Sequence, residues 1–489
     1  MFRHLRNYAS AGMISAFVGV LQFPIMTRSL SVADYGTLGL IASTLALFVA
    51  VGKLGLQHAV IRFFAQVRHG NIDFSSGQLN STVTAIFLVF ATLTTLAWLV
   101  TGDVVLPRVL ESSDVVVLFN ITAGVVFLRM LGSGIVNFLR AQQRSGIVAL
   151  SMTIARVVNL VLIVLLALFS DVDLAGLLVC LLLAEIASFA HSAWRYAPDF
   201  SFSRRELSTR LGRAMLVYGA PLMLLESLGL VLRLSDRYVI EALLGVDALG
   251  QYSASYNLVA YLDVIVLAAL VQAVRPAYVN LWESEGLEAT RAFLSHGLRL
   301  FLVVGAPFVA VFSLTSPHIL SFLAGERYAP GTVIIPLITL SFLVEGTTQF
   351  LAAGLYIRKE TRSLMTWSAA ATVVNLVLNF LLVPSMGIVG AALVTIFSYL
   401  VFVIGVTFAA FRHLPFRIRL RAPVVMGILS LIVFEGLAHL DFGSDLADMF
   451  VKGSLATLLL GVALLTFDTA SREWVLKRLG RPSRPRTSE

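Results

Sequence analysis

Charge is what this sequence has least of. Only 13% of its 489 residues are Asp, Glu, Lys or Arg and 58% are hydrophobic, whereas a soluble domain carries about 25% charged residues. With a mean hydropathy of +0.88, the deficit spreads over the whole chain and points to an integral membrane protein. Cysteine is nearly absent. The single Cys180 lies inside an apolar run, which excludes an intrachain disulfide and any zinc or iron–sulfur spacing. There is no phosphate-binding glycine loop, no HExxH and no GxSxG, so nothing in the chain marks an enzyme. Lys and Arg exceed Asp and Glu by 8. In a soluble protein that excess would suggest nucleic acid; here no nucleic-acid partner is implied, and the question is where the cations sit.

The chain opens Met1-Phe2-Arg3-His4-Leu5-Arg6 and continues apolar to about Met26. That stretch is longer than a signal-peptide core and no A-x-A site follows it, so a retained first helix is expected rather than a cleaved leader. The apolar runs are long and continuous, as helices need and barrel strands do not. They predict an all-α integral membrane protein of about fourteen spans near 8–28, 36–58, 80–101, 115–139, 147–169, 174–194, 214–235, 250–273, 293–314, 331–356, 364–383, 387–410, 423–440 and 449–467. The longest outside loop is then 315–330. With both ends cytoplasmic, 27 of the 36 Lys and Arg residues fall in inside segments and 6 in outside segments, leaving Lys53, Arg129 and Arg156 within spans. One span more or fewer would invert every later loop and destroy this bias, so the cations support the number of spans as well as the orientation.

Two stretches of the chain echo each other. Leu30-Ser31-Val32-Ala33-Asp34-Tyr35-Gly36 returns as Leu244-Gly245-Val246-Asp247-Ala248-Leu249-Gly250. Arg144-Ser145 followed by Val157-Val158-Asn159 returns as Arg362-Ser363 followed by Val373-Val374-Asn375. The offsets are 214 at the glycines, 218 at Arg-Ser and 216 at Val-Val-Asn, which argues for a duplicated six-helix unit. The organisation expected is an N-terminal six-helix lobe at 1–195, a cytoplasmic linker at 196–212 and a C-terminal six-helix lobe at 213–411. A basic interfacial linker at 412–422, two additional spans within 423–467 and a basic cytoplasmic tail at 468–489 complete it. Lobes with parallel topology usually hold substrate near the midplane. The linker Arg412-His413-Leu414-Pro415-Phe416-Arg417-Ile418-Arg419-Leu420-Arg421 suits a surface of anionic headgroups.

The Tyr35-Gly36 and Leu249-Gly250-Gln251-Tyr252 turns, Gly52-Lys53-Leu54-Gly55-Leu56 with Ala59 and Arg62, and Ser235-Asp236-Arg237 resemble the polysaccharide-transporter branch of the multidrug/oligosaccharidyl-lipid/polysaccharide exporter superfamily. The resemblance covers nearly the whole chain through its span count, duplication and two-helix tail. It implies two six-helix lobes forming a V around a central cavity. It also implies a flippase for a short oligosaccharide carried on a polyprenyl diphosphate, working by alternating access in a bacterial cytoplasmic membrane. Membrane lipids and polysaccharide polymerase or assembly proteins would be its other partners.

A diphosphate crossing a bilayer needs cations in a watery cavity, and ionisable residues within spans are candidates by default. Lys53 lies on a stripe of Gly36, Gly39, Ser43, Ala46, Ala50, Lys53 and Gln57 at helical spacing, a face expected against helices or water rather than lipid. Arg129 lies near the middle of span four, with Ser133, Asn137 and Arg140 on its face, and Arg156 lies one turn before Asn159. Arginine's planar fork suits two phosphate oxygens. Arg28 and Arg62 sit at helix ends and extend the candidate substrate set. The competing readings are that Lys53 snorkels to the interface, that Arg156 pairs with Glu185, and that Arg28 and Arg62 anchor helix ends. The acids Glu226, Asp263 and Glu345 lie near mid-span. Together with Asp236 and Arg237 they are candidates for coupling or gating. They would either bind a proton or Na⁺ that resets the transporter or form salt bridges with the first-lobe arginines; no other cofactor is expected. Pro24, Pro221, Pro307 and Pro336 interrupt the predicted spans as hinges or static kinks. His58 and His191 read as interfacial.

Two alternatives remain. A multidrug and toxin extruder of the same superfamily would generally have twelve spans and a cavity suited to cations. A membrane glycosyltransferase would usually bring a larger external loop.

Overall fold

The computed structural model describes the backbone at 2–105 and 114–467, and the side chains there except at 2–6, 8, 9, 104, 105, 114, 115, 262–273 and 467. The tail 468–489 and Arg108 lie outside the described residues. Within them every regular element is helical. Twelve helices are long and apolar enough to cross a membrane. One of them, Thr361–Phe411, has 51 residues and a non-helical backbone at Gly387, φ +60° and ψ −145°. At about 1.5 Å per residue it exceeds a hydrocarbon core of about 30 Å more than twofold, so it is two spans joined at Gly387. The 39-residue helix Val246–Ser284 contains the eighth predicted span, although the side chains at 262–273 are not described. The total agrees with the fourteen spans read from the sequence.

The chain divides into two compact units, 1–269 with 372–391 and 270–371 with 392–489. The first contains α1 (Phe2–Ser29), α2 (Val32–Gly52), α3 (Leu56–Arg68), α4 (Ser76–Val100), α5 (Asp114–Ala141), α6 (Ser145–Phe169), α7 (Leu174–Tyr196) and α8 (Thr209–Leu244). It also takes the beginning of α9 (Val246–Ser284) and the middle of the long helix α12 (Thr361–Phe411). Local signals start these helices as the sequence suggests. Ser31 caps α2 by accepting from the Asp34 N–H, Ser75 and Gln78 form a reciprocal capping box on α4, and Asp173 caps α7; each satisfies backbone donors that would otherwise be orphaned. Trp98 anchors one core cluster. It is fully buried, its indole N–H donates to the Phe119 carbonyl at 2.8 Å, and it stacks on the Phe119 ring at 4.5 Å.

The repeated motifs acquire a physical meaning here. A Cβ on Gly36 would stand 2.8 Å from the Gly250 backbone nitrogen, and a Cβ on Gly250 would meet Val32. The two copies of the repeated glycine thus pack against each other where α2 crosses α9, a contact only small residues permit. Gln22 of α1 donates to Asn159 of α6 at 2.8 Å, and Ser235 of α8 donates to Asn375 of α12 at 2.7 Å. Each repeat therefore ties its first helix to the asparagine of its Val-Val-Asn helix in the same way. The stripe on α2 behaves as expected at Gly39, which packs on Ser253.

The second unit contains the rest of α9 and α12, α10 (Gly286–Ala324), α11 (Ile335–Gly346), α13 (Arg421–Ala438) and α14 (Asp445–Phe467). The terminal pair α13–α14 packs on α10. His318 of α10 bridges Asp445 at 2.8 Å and Asp448 at 3.5 Å, and Lys452 joins Asp448 at 2.7 Å.

Several boundaries differ from the sequence expectation. Helix α10 runs to Ala324, so most of the predicted outside loop is helix. Helix α8 runs to Leu244, past the predicted end at 235, and takes in Arg237, which the sequence placed in a loop. Pro336 does not interrupt a span: it stands in the first turn of α11, after a 3₁₀ segment Glu326–Ile334. A helix's first turn has no use for the missing N–H, so proline is favoured there. Pro24, Pro221 and Pro307 do lie inside helices. The 196–212 linker is docked rather than loose: Asn80 donates to the Asp199 carbonyl at 3.1 Å, the Ser203 N–H donates to Ser81 at 2.9 Å, and Arg144 pairs with Asp199 at 2.6 Å.

Candidate functional site

The intramembrane cations of the first unit gather in one place. Arg129 projects from α5 and Arg156 from α6, both near mid-helix, while Lys53 sits where α2 breaks before α3. The break has a cause. Leu54 and Gly55 adopt positive φ, +47° and +70°, and a Cβ on Gly55 would run into the Gly219 backbone of α8. The chain turns there because glycine alone allows both the angle and the crossing. Lys53 is thereby carried inward, within electrostatic reach of Glu226, Arg129, Arg140 and Glu185. Arg156 lies within reach of Arg129, Glu185 and Tyr261. Lys53 is half-buried and Arg156 is exposed.

Glu185 of α7 pairs with Arg129, Nε to Oε1 at 2.7 Å, and not with Arg156 as one reading of the sequence had it. Among the described residues neither Arg156 nor Lys53 has a carboxylate within ion-pair distance. Glu226 of α8 accepts from Gln57 of α3, and His58 approaches it at 3.8 Å. The assembly of Lys53, Arg129, Arg140 and Arg156 against Glu185 and Glu226 carries two more positive charges than negative with His58 neutral. At membrane depth such an excess is costly without an anion. Its guanidiniums have the fork geometry that suits an anionic group with two oxygens.

The other candidates lie elsewhere. Arg28 is exposed in the last turn of α1. Arg62 is exposed on α3 and stacks over the Tyr218 ring at 4.3 Å. Asp236 and Arg237 are almost fully buried and closed on themselves: Arg237 approaches Asp236 at 3.7 Å, Tyr252 donates to Asp236, and the guanidinium lies over the Tyr256 ring at 4.6 Å. Glu345, at the end of α11, belongs to the second unit. The Asp263 side chain lies outside the described residues. His191 is held by Ser151 at 2.9 Å.

Residues 6–282 match the polysaccharide biosynthesis protein family. The chain belongs to that family. A putative O-antigen transporter of Shigella flexneri is 20% identical over 385 residues, 78% of this chain and 90% of the relative. An uncharacterized membrane protein of Methanocaldococcus jannaschii is 25% identical over 214 residues, 42% of this chain and 40% of that one. Among solved structures, the lipid II flippase MurJ in an inward closed conformation superposes with a TM-score of 0.76 at 13% identity, covering 94% of this chain and 98% of MurJ. An inward-facing multidrug resistance MATE family transporter of the MOP superfamily superposes with a TM-score of 0.70 at 12% identity, covering 82% and 94%. At such identities the likeness is one of fold. The chain thus shares its fold with these membrane transporters, in keeping with the resemblance its motifs carry.

Sequence reasoning missed two members of the family protein's charged cluster. Glu185 was weighed only as a partner for Arg156, although it falls at a helical position opposite either arginine. His58 was read as interfacial. The signal that could have drawn it inward is Gly52-Lys53-Leu54-Gly55, whose glycines end one helix and re-aim the next.

Proposed function

We propose that the protein is a flippase that moves a polyprenyl-diphosphate-linked oligosaccharide, a polysaccharide or O-antigen repeat-unit precursor, across a bacterial cytoplasmic membrane by alternating access, with both termini cytoplasmic. The observation that supports this reading is the net-positive cluster of Lys53, Arg129 and Arg156 within apolar spans, with Glu185 pairing only with Arg129. Within it Arg156 and Lys53 contact the diphosphate, while Arg129 is shared between substrate and Glu185. Arg28 and Arg62 lie at the periphery and guide the substrate's approach. Glu226, with Gln57 and His58 against it, exchanges its partners for a proton or Na⁺ during reset; Asp263, Glu345 and the Asp236–Arg237 pair act in the same coupling and gating cycle. The relatedness to a putative O-antigen transporter supports the glycan class.

The test is binding of polyprenyl-diphosphate oligosaccharide to the protein in nanodiscs. Saturable binding weakened about tenfold or more by Arg156→Ala is expected, the loss of a charge-assisted fork being worth about 1.5–3 kcal/mol. Binding of organic cations with no binding of the lipid would replace this reading with a MATE-type multidrug cation antiporter.

A further inference from the structure

The second unit holds an apolar groove of about 360 Å³, the size of a single-ligand pocket (about 300–1,000 Å³). Leu298 and Leu302 of α10, Leu343 of α11 and Val403 of α12 line it, and Ile418 and Leu420 of the basic linker close one side. Its one polar lining group, the Thr347 hydroxyl, is already donating to the Val344 carbonyl at 2.6 Å. From 414 to 420 the linker belongs to no helix or strand, and Leu420 takes the helical conformation that leads into α13. Leu414 and Phe416 are buried, and Ile418 and Leu420 line the groove. Arg417 and Arg419 stand exposed, followed by Arg421. Ser295 of α10 fixes the segment by donating to the Arg417 carbonyl at 2.6 Å. Ile418 and Leu420 nevertheless remain 36% and 51% exposed, because the groove they face is open.

The charges complete the argument. Arg299 follows groove-lining Leu298 on α10 and lies within electrostatic reach of Arg419. Among the described residues no carboxylate lies within ion-pair distance of Arg417, Arg419 or Arg421. Exposed guanidiniums beside an apolar groove favour an anionic headgroup.

We propose that this groove binds one anionic phospholipid, its acyl chain against Leu298, Leu343, Val403 and Leu420 and its phosphate on Arg419. The site lies wholly within the second unit and is separate from the cationic cluster of the first. An unbranched acyl chain suits its size better than the long, methyl-branched tail of a polyprenyl lipid. A seated lipid ties the linker, and with it the start of α13, to α10 and α12. The proposal rests on membrane embedding alone and stands whatever the transported substrate is.

Native mass spectrometry of the full chain in mild detergent tests it, with phosphatidylglycerol and phosphatidylcholine of the same acyl chains as probes. One phosphatidylglycerol per chain should bind about tenfold more tightly than phosphatidylcholine, since each surface arginine contributes a few-fold toward an anionic headgroup. Arg419→Ala should erase that preference. Leu420→Ser should weaken phosphatidylglycerol while leaving the preference. Both residues are exposed, so folding is spared. Equal affinity for the two lipids, or a preference that survives Arg419→Ala, would overturn the proposal. So would competition by glycerol phosphate as strong as by the lipid, or displacement of phosphatidylglycerol by polyprenyl phosphate, which would give the groove to the substrate's tail.

Discussion

Arginines at membrane depth need compensation, and the first unit supplies it unequally. Arg129 leans on Glu185, whereas among the described residues Arg156 and Lys53 have no carboxylate within ion-pair distance. Glu185→Gln should therefore lower thermal stability, with a cost of about 1–3 kcal/mol because the Arg129 side chain is a third exposed and partly screened. The paired change Arg129→Leu with Glu185→Leu should recover most of that Tm, since removing both partners avoids an uncompensated charge. Recovered stability with substrate binding still reduced would separate the two roles of Arg129; equal stability of the single and double variants would show that the pair contributes nothing. Asp236 belongs to a different class. Its carboxylate is nearly inaccessible and is held by Tyr252 and Arg237. Asp236→Ala strands a buried guanidinium at a cost of about 3–5 kcal/mol, and the expected readout is a loss of folded protein in membranes. Normal yield with lost transport would instead make this pair a gate.

At the scale of elements, the glycines decide more than the prolines. Gly36 and Gly250 bring α2 and α9 into backbone contact, and the atoms a new side chain would meet there are main-chain atoms that cannot rotate away. Gly36→Val should abolish accumulation of the folded transporter, while Gly12→Ala, with nothing within 4 Å of its added Cβ, should leave accumulation unchanged. Pro336→Ala should change stability by no more than about 0.5 kcal/mol and leave transport intact, because the residue begins a helix instead of bending one. These elements also show what the sequence could and could not say. Hydropathy locates every span, because a bilayer demands about twenty apolar residues in a helix. The repeat offsets point to the glycines and asparagines that prove structurally equivalent. Boundaries were harder: α8 and α10 continue as helix past the apolar run, where Arg237 and His318 find protein partners that hydropathy cannot register. The cluster around Lys53 was legible as a set of residue types, but its pairing was not. Which carboxylate meets which arginine depends on helix rotation, and α6 and α5 both pack against α7.

At the scale of the whole molecule, parity ties the spans to the orientation. An even number of crossings puts both ends on one side, and in the proposed orientation that side is the cytoplasm, as the cation bias favours. The structure adds loops where the proposition can be checked one position at a time. Cys180 is buried, so a Cys180→Ser background would leave introduced cysteines as the labelled thiols. Ser444 lies in the exposed turn between α13 and α14, beside Gly443 and ahead of the Asp445 and Asp448 that meet His318. Gly70 lies in the exposed turn after α3, with open space around it. In intact cells a membrane-impermeant maleimide should label Ser444→Cys at once and Gly70→Cys only after lysis. Counting from the N-terminus, the turn at Gly70 follows two crossings and that at Ser444 follows thirteen, so the pair must fall on opposite sides. Labelling of both from the same side would remove one crossing between them, and α12 is where it would be lost: without a reversal at Gly387 its 51 residues would have to be a single transmembrane element. Labelling of opposite sides in the reverse sense would keep all fourteen spans and invert the molecule. The direction of the proposed transport would then have to be argued afresh.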